Sequence, residues 1–323
     1  MSLAELLPLA GALSAPAFFL LFALASLGSP LLALLCLTVG QLRSTQYIEA
    51  YARRLLRMAL TAALPALLAV AVSAGVAAYK VRWLADWVLA SPLGPSLFAV
   101  AGLAFFASLL TLRLSRPSSR HARQNNPLGQ AFILSALALA VIWLALALAA
   151  SLLEQAQSVL RALNEGPISV ARLIPPDASA LPPLFWTALA ALAPLCTACS
   201  GALSMEYLIA LRDREPFGRE ALAQMLRIAA RGALRSGLLA VAFLPVLWTH
   251  LHELPALPGG LQAARFMLGL AGASALLLCL CAGVVSHSNR PWTHSLAVHL
   301  GLAAIWLGLT ALLCVALLHF YGV

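Results

Sequence analysis

Long apolar runs with at most one charged residue dominate the chain, at 15–41, 58–79, 95–114, 130–153, 184–210, 232–250, 265–286 and 296–320. Each is near the ~20 residues an α-helix needs to cross ~30 Å of hydrocarbon. The runs are continuous rather than alternating, which predicts helices and not a barrel. Of the 323 residues, 62% are hydrophobic and only 10% charged, with a mean hydropathy of +0.94. Soluble domains carry roughly 25% charged residues. The expected fold is therefore an all-α polytopic membrane protein with about eight transmembrane helices. The sixth run is the weakest, because Arg231 and Arg235 crowd its start. Pro30, Pro65, Pro194 and Pro245 fall inside runs, and each is expected to kink its helix.

Charge sets the expected orientation. The connections after the first, third, fifth and seventh runs carry fifteen of the 20 basic residues. Lys80, Arg82, Arg161, Arg172 and Arg265 lie on the other side. The positive-inside rule then places the arginine-rich side in the cytoplasm and both termini outside it. The net charge of +9 reads as topology rather than as nucleic-acid binding. The N-terminus holds only Glu5 and no basic n-region, so the first run reads as a retained helix, not a cleaved signal. Abundant Ala, Leu and Arg suggests a bacterial source, and the expected location is a bacterial inner membrane.

The halves read as related, which predicts two parallel four-helix repeats. Leu55-Leu56-Arg57 reappears as Met225-Leu226-Arg227, and Leu67–Val72 as Leu238–Phe243. Arg116-Pro117 followed by His121 parallels Arg290-Pro291 followed by His294, and Ile142-Trp143-Leu144 parallels Ile305-Trp306-Leu307. The expected units are 1–153, a Pro-rich extracytoplasmic linker at 154–183, and 184–323. Four spans per copy is an even number, so the copies share one orientation.

Candidate chemistry is sparse. His287, His294 and His299 cluster around the cytoplasmic ends of the last two helices, where they could hold a cofactor or sit as wet interfacial side chains. His121, His250, His252 and His319 lie in or near connections. Glu206 is the one acid well inside an apolar run, a position that signals either a proton- or quinone-linked carboxylate or a pair with Arg212 or Arg214. Cys196 and Cys199 share a helix face and could hold a soft metal such as Cu(I), though cysteine is also a small apolar residue. Ser286–His294 is the densest polar stretch between two spans, either a headgroup or quinone site or a cap and tight turn. Glycine-rich phosphate loops, zinc signatures and hydrolase motifs are absent, which argues against soluble-enzyme chemistry.

Two regions resemble a bacterial family of membrane cytochrome subunits related to subunit I of cytochrome bd-type quinol oxidases. The first is Tyr51-Ala52-Arg53-Arg54-Leu55 followed by Ala66–Val76, similar to a basic turn leading into a helix with a glycine. The second is Pro176-Asp177-Ala178-Ser179-Ala180-Leu181-Pro182-Pro183, similar to that family's approach to a haem-carrying helix. The resemblance implies a respiratory membrane subunit, with haem b as the family's cofactor. Where the family's ligand histidines would stand, this chain reads Leu184-Phe185-Trp186 and Ala23-Leu24-Ala25-Ser26. Of the family's G-R-Q-P-W signature only the fragment Asn289-Arg290-Pro291-Trp292 is present. No ligand role transfers residue by residue.

The leading expectation is a subunit of a respiratory electron-transfer complex that anchors redox partners and contacts quinone. The alternatives are a transporter or channel-like protein for copper or a small solute, with a layout similar to eight-helix copper-resistance proteins, and a cofactor-free scaffold subunit. Expected partners are the lipid bilayer and other subunits of a redox complex, with no nucleic acid.

Overall fold

A computed structural model describes residues 3–43, 46–80, 93–114, 127–154, 183–212, 218–250 and 260–321. All regular structure among them is helical: α1 Leu3–Arg43, α2 Gln46–Lys80, α3 Leu93–Leu114, α4 Pro127–Glu154, α5 Pro183–Ala210, α6 Arg219–Ala242, α7 Leu244–His250, α8 Gly260–His287 and α9 Ser295–Tyr321. A 3-10 turn, Pro291–Thr293, joins α8 to α9. Eight segments of these helices are long and apolar enough to cross a membrane, with α6 and α7 together forming the sixth. The chain is an all-α, multi-pass membrane protein.

The helices start earlier than hydropathy alone indicates. α1 begins at Leu3 and runs through Pro8 and Pro16, α2 begins at Gln46, and α6 begins at Arg219. Hydropathy marks the part of a helix that lies in lipid. Ala, Leu, Arg and Gln are strong helix formers, so the backbone stays helical into the interface. The prolines also act unequally. α1, α2 and α5 remain unbroken through Pro30, Pro65 and Pro194. Hydroxyls within a turn of each bond to nearby backbone carbonyls: Ser29 to Ala25 O, Thr61 to Met58 O and Thr197 to Ala193 O. Only the sixth span is divided, at Phe243, two residues before Pro245.

Each half closes into a ring. In the first, α1 packs on α2, α2 on α3, α3 on α4 and α4 back on α1. In the second, α5 packs on α6, α6 on α8, α8 on α9 and α9 back on α5. The halves meet where α1 lies against α5, with α9 on α1 and α4 on α5 as reciprocal outer contacts. One apolar cluster gathers the ends of α1, α5 and α8 with the starts of α2, α4, α6 and α9. A middle layer joins α1, α4, α5, α8 and α9, and a third joins the starts of α1 and α8 to the end of α9. Equivalent helices therefore run in the same direction, as two parallel four-helix units require.

Burial refines the correspondence between halves. A constant offset of 171 carries the buried Tyr51, Leu55, Ala59 and Ala66 of α2 onto the buried Leu222, Leu226, Ala230 and Gly237 of α6. It also aligns Glu49-Ala50 with Glu220-Ala221. Leu55 thus matches Leu226, one residue along from the Met225 that local similarity selects.

Small residues bring the central helices together. A Cβ at Gly28 would collide with the backbone of Cys196, and one at Gly201 would lie 2.8 Å from Ala233 N. Backbone approach of this kind is what holds membrane helices together where lipid and side chain are equally apolar.

Candidate functional site

Two residues singled out separately in the sequence meet in the fold. Glu206 stands one turn before the end of α5, and His299 one turn after the start of α9. His299 Nδ1 lies 2.8 Å from Glu206 Oε2. An ionised carboxylate can only accept, so in that state Nδ1 donates in this bond. The Glu206 side chain is 26% exposed and that of His299 54%, so the pair sits at the bundle's edge. It lies at the end of the bundle where α5 finishes and α9 begins. An acid in a membrane span costs at least ~2.5 kcal/mol unless something compensates it. His299 supplies one compensating hydrogen bond; Arg214 lies outside the described residues.

The position of Glu206 has an apolar counterpart. The 171-residue offset places Leu35 there in the first half, and Leu35 is exposed. Helix packing alone therefore accepts a leucine at this point, and the carboxylate needs another explanation.

The polar stretch Ser286–His294 is a capped tight turn. Arg290 N donates to Ser288 Oγ at 3.1 Å, Thr293 Oγ1 to Arg290 O at 2.7 Å, and His294 N to Pro291 O at 3.2 Å. Arg227 of α6 clamps it from the side, donating from Nε to Ser288 O at 3.1 Å and from Nη2 to Asn289 O at 3.0 Å. His287 Nδ1 is 2.9 Å from Gly283 O and also near Ser286 Oγ, with its ring exposed. His294 is half-buried and its backbone ends the 3-10 turn.

The three histidines lie at the edge of the bundle rather than facing one another inside it. His287 and His299 are exposed, and each engages Nδ1 locally. No group of three or more His, Cys, Asp or Glu forms among the described residues. The positions Trp186 and Ala23–Ser26 offer no ligand, while His121 and His252, and the side chains of His250 and His319, lie outside what is described.

Cys196 and Cys199 are fully buried at the α1–α5 crossing. They belong to the packed middle layer, and no third donor joins them in a cluster. An apolar cavity of about 70 Å³ lies inside the second ring, lined by residues such as Leu195, Gly237, Leu244, Ala275 and Leu309. Its lining includes neither Glu206 nor the two cysteines.

A buried hydroxyl network escaped the sequence reading. Ser200 and Ser204 lie on one face of α5. Ser29 gives its proton to Ala25 O at 2.6 Å and accepts from Ser200 at 3.0 Å. Ser204 gives its proton to Gly201 O at 2.9 Å and accepts from Tyr51 at 2.8 Å. The four-residue spacing of two serines within a glycine- and alanine-rich run was the available signal. No protein-family model and no curated protein matches the chain.

Proposed function

We propose that the chain is the membrane-embedded subunit of a respiratory electron-transfer complex, and that Glu206 and His299 contact a quinone headgroup. The observation that carries this reading is their 2.8 Å pairing across α5 and α9 at the edge of the bundle. Oxidation of a hydroquinone releases two electrons and two protons. The electrons would leave to a redox centre on a partner subunit. With Nδ1 donating to the Glu206 carboxylate, His299 Nε2 would accept one hydroxyl proton, and the second would pass to water at this exposed edge. The same geometry serves quinone reduction in reverse. In this reading the chain anchors partner subunits that carry redox centres.

The location follows the same reading: a bacterial inner membrane, with the arginine-bearing end in the cytoplasm and both termini outside. The experiment is affinity purification of the full chain from its native membrane with subunit identification and an absorption spectrum. Co-purification with a cytochrome or iron–sulfur subunit supports the reading. Isolation with no redox subunit, under conditions that keep other respiratory complexes whole, removes it.

A further inference from the structure

The face of α6 that carries Arg231 and Arg235 is the least explained surface of the bundle. Both arginines are exposed, inside a segment long and apolar enough to span the membrane. Among the described residues neither has a hydrogen-bond or ion-pair partner. They follow Arg227 at four-residue steps, so the three share one side of the helix. Arg227 is tied to the α8–α9 turn and marks the level of the bundle's end. Arg231 and Arg235 lie about 6 and 12 Å further along the axis at 1.5 Å per residue. That depth is below the headgroups for the backbone, yet within reach of them for an extended arginine side chain.

Nothing in the repeat requires these charges. The 171-residue offset pairs Arg231 with Leu60, which is buried, and Arg235 with Leu64, which is exposed like it. Beyond the arginines the same side of α6 turns apolar, with Leu238 50% and Leu239 58% exposed. Cations above and leucines below match an amphiphile whose head is anionic and whose tail is hydrocarbon. We propose that this face of α6 binds an anionic phospholipid, with its phosphate between the Arg231 and Arg235 guanidiniums and its acyl chains along Leu238 and Leu239. A phosphate accepts bidentate bonds from guanidinium, which a zwitterionic headgroup offsets with its own cation.

The test uses the full chain in detergent micelles containing equimolar phosphatidylglycerol and phosphatidylcholine, with retained lipid counted by native mass spectrometry. Wild type is expected to retain phosphatidylglycerol in preference. Arg231→Gln and Arg235→Gln are each expected to weaken that preference ~5-fold, at ~1 kcal/mol for each arginine near an anionic surface. The double lysine variant, Arg231→Lys with Arg235→Lys, keeps the charge and loses the bidentate fork, so its preference should fall between wild type and the double glutamine variant. Arg53→Gln, on the exposed start of α2, should leave it unchanged. Equal retention by wild type and the double glutamine variant overturns the proposal. So does a photo-crosslinker at Leu238 that captures an acidic protein helix in native membranes instead of lipid.

Discussion

Ser29 and Ser200 share a hydrogen bond of 3.0 Å, and they stand 171 residues apart, the same offset that superimposes the buried faces of α2 and α6. Equivalent residues of the two halves thus touch each other at the centre of the molecule. Contact between equivalents is what an axis along the membrane normal, running between α1 and α5, produces. The polar chemistry departs from that correspondence: Glu206, Arg231 and Arg235 stand at the offset positions of Leu35, Leu60 and Leu64. The first half builds the frame, and the second carries the groups that packing leaves unexplained.

The α1–α5 crossing should be intolerant of any side chain at Gly28. A Cβ there meets the Cys196 backbone, which cannot swing aside as a flexible side chain would. Overpacking costs about 1–3 kcal/mol, and Gly28→Ala should lie at the upper end or above. Gly75→Ala, which has open space around it, is the control. Thermal unfolding in detergent, followed by size-exclusion fluorescence, checks the contrast.

The Tyr51–Ser204 pair should couple measurably but weakly. A double-mutant cycle of Tyr51→Phe and Ser204→Ala, read by denaturant unfolding in mixed micelles, should give a coupling near ~0.6 kcal/mol and below ~1.7, the range for hydrogen bonds between membrane helices. A coupling of zero would mean the two hydroxyls do not meet.

Arg227→Ala should loosen the turn between α8 and α9. Ser288 O and Asn289 O each lose a charged donor, at roughly 1.5–3 kcal/mol per bond before solvent compensates at this edge. Hydrogen exchange at Arg290, Thr293 and His294 should quicken. Arg53→Ala breaks only the exposed i,i+4 pair with Glu49 at 3.4 Å and should change stability by no more than about 0.5 kcal/mol.

Cys196 and Cys199 should resist maleimide in the folded protein and react once it is denatured, since both are fully buried. Cys196→Ala with Cys199→Ala should destabilise through lost packing without changing Cu(I) retention. A fall in retained copper would restore a metal role for this face.

How far the sequence reaches depends on the kind of signal. Length and apolarity fix the eight spans, because lipid leaves little choice about where an uncharged 20-residue run can lie. The parallel order of the halves follows from the even number of spans. Helix ends are less legible, as at Gln46 and Arg219, because amphipathic helix continues where hydropathy falls. Glu206 and His299 are each conspicuous alone, but their pairing is a long-range contact, 93 residues apart, that no local pattern encodes. Tyr51 and Ser204 are invisible for a further reason. A tyrosine beside arginines reads as interfacial until its helix is known to turn it inward.

The account rests on the Glu206–His299 pair as a quinone contact. The direct measurement is binding of a short-chain quinone analogue to the intact chain in lipid nanodiscs, compared with Glu206→Leu and His299→Leu. Leucine at position 206 mimics Leu35 of the first half, so the fold should persist with an unchanged melting temperature. Saturable binding by wild type, lost in both variants, is the predicted result. Undiminished binding by the variants, or none by a folded wild type, would contradict it.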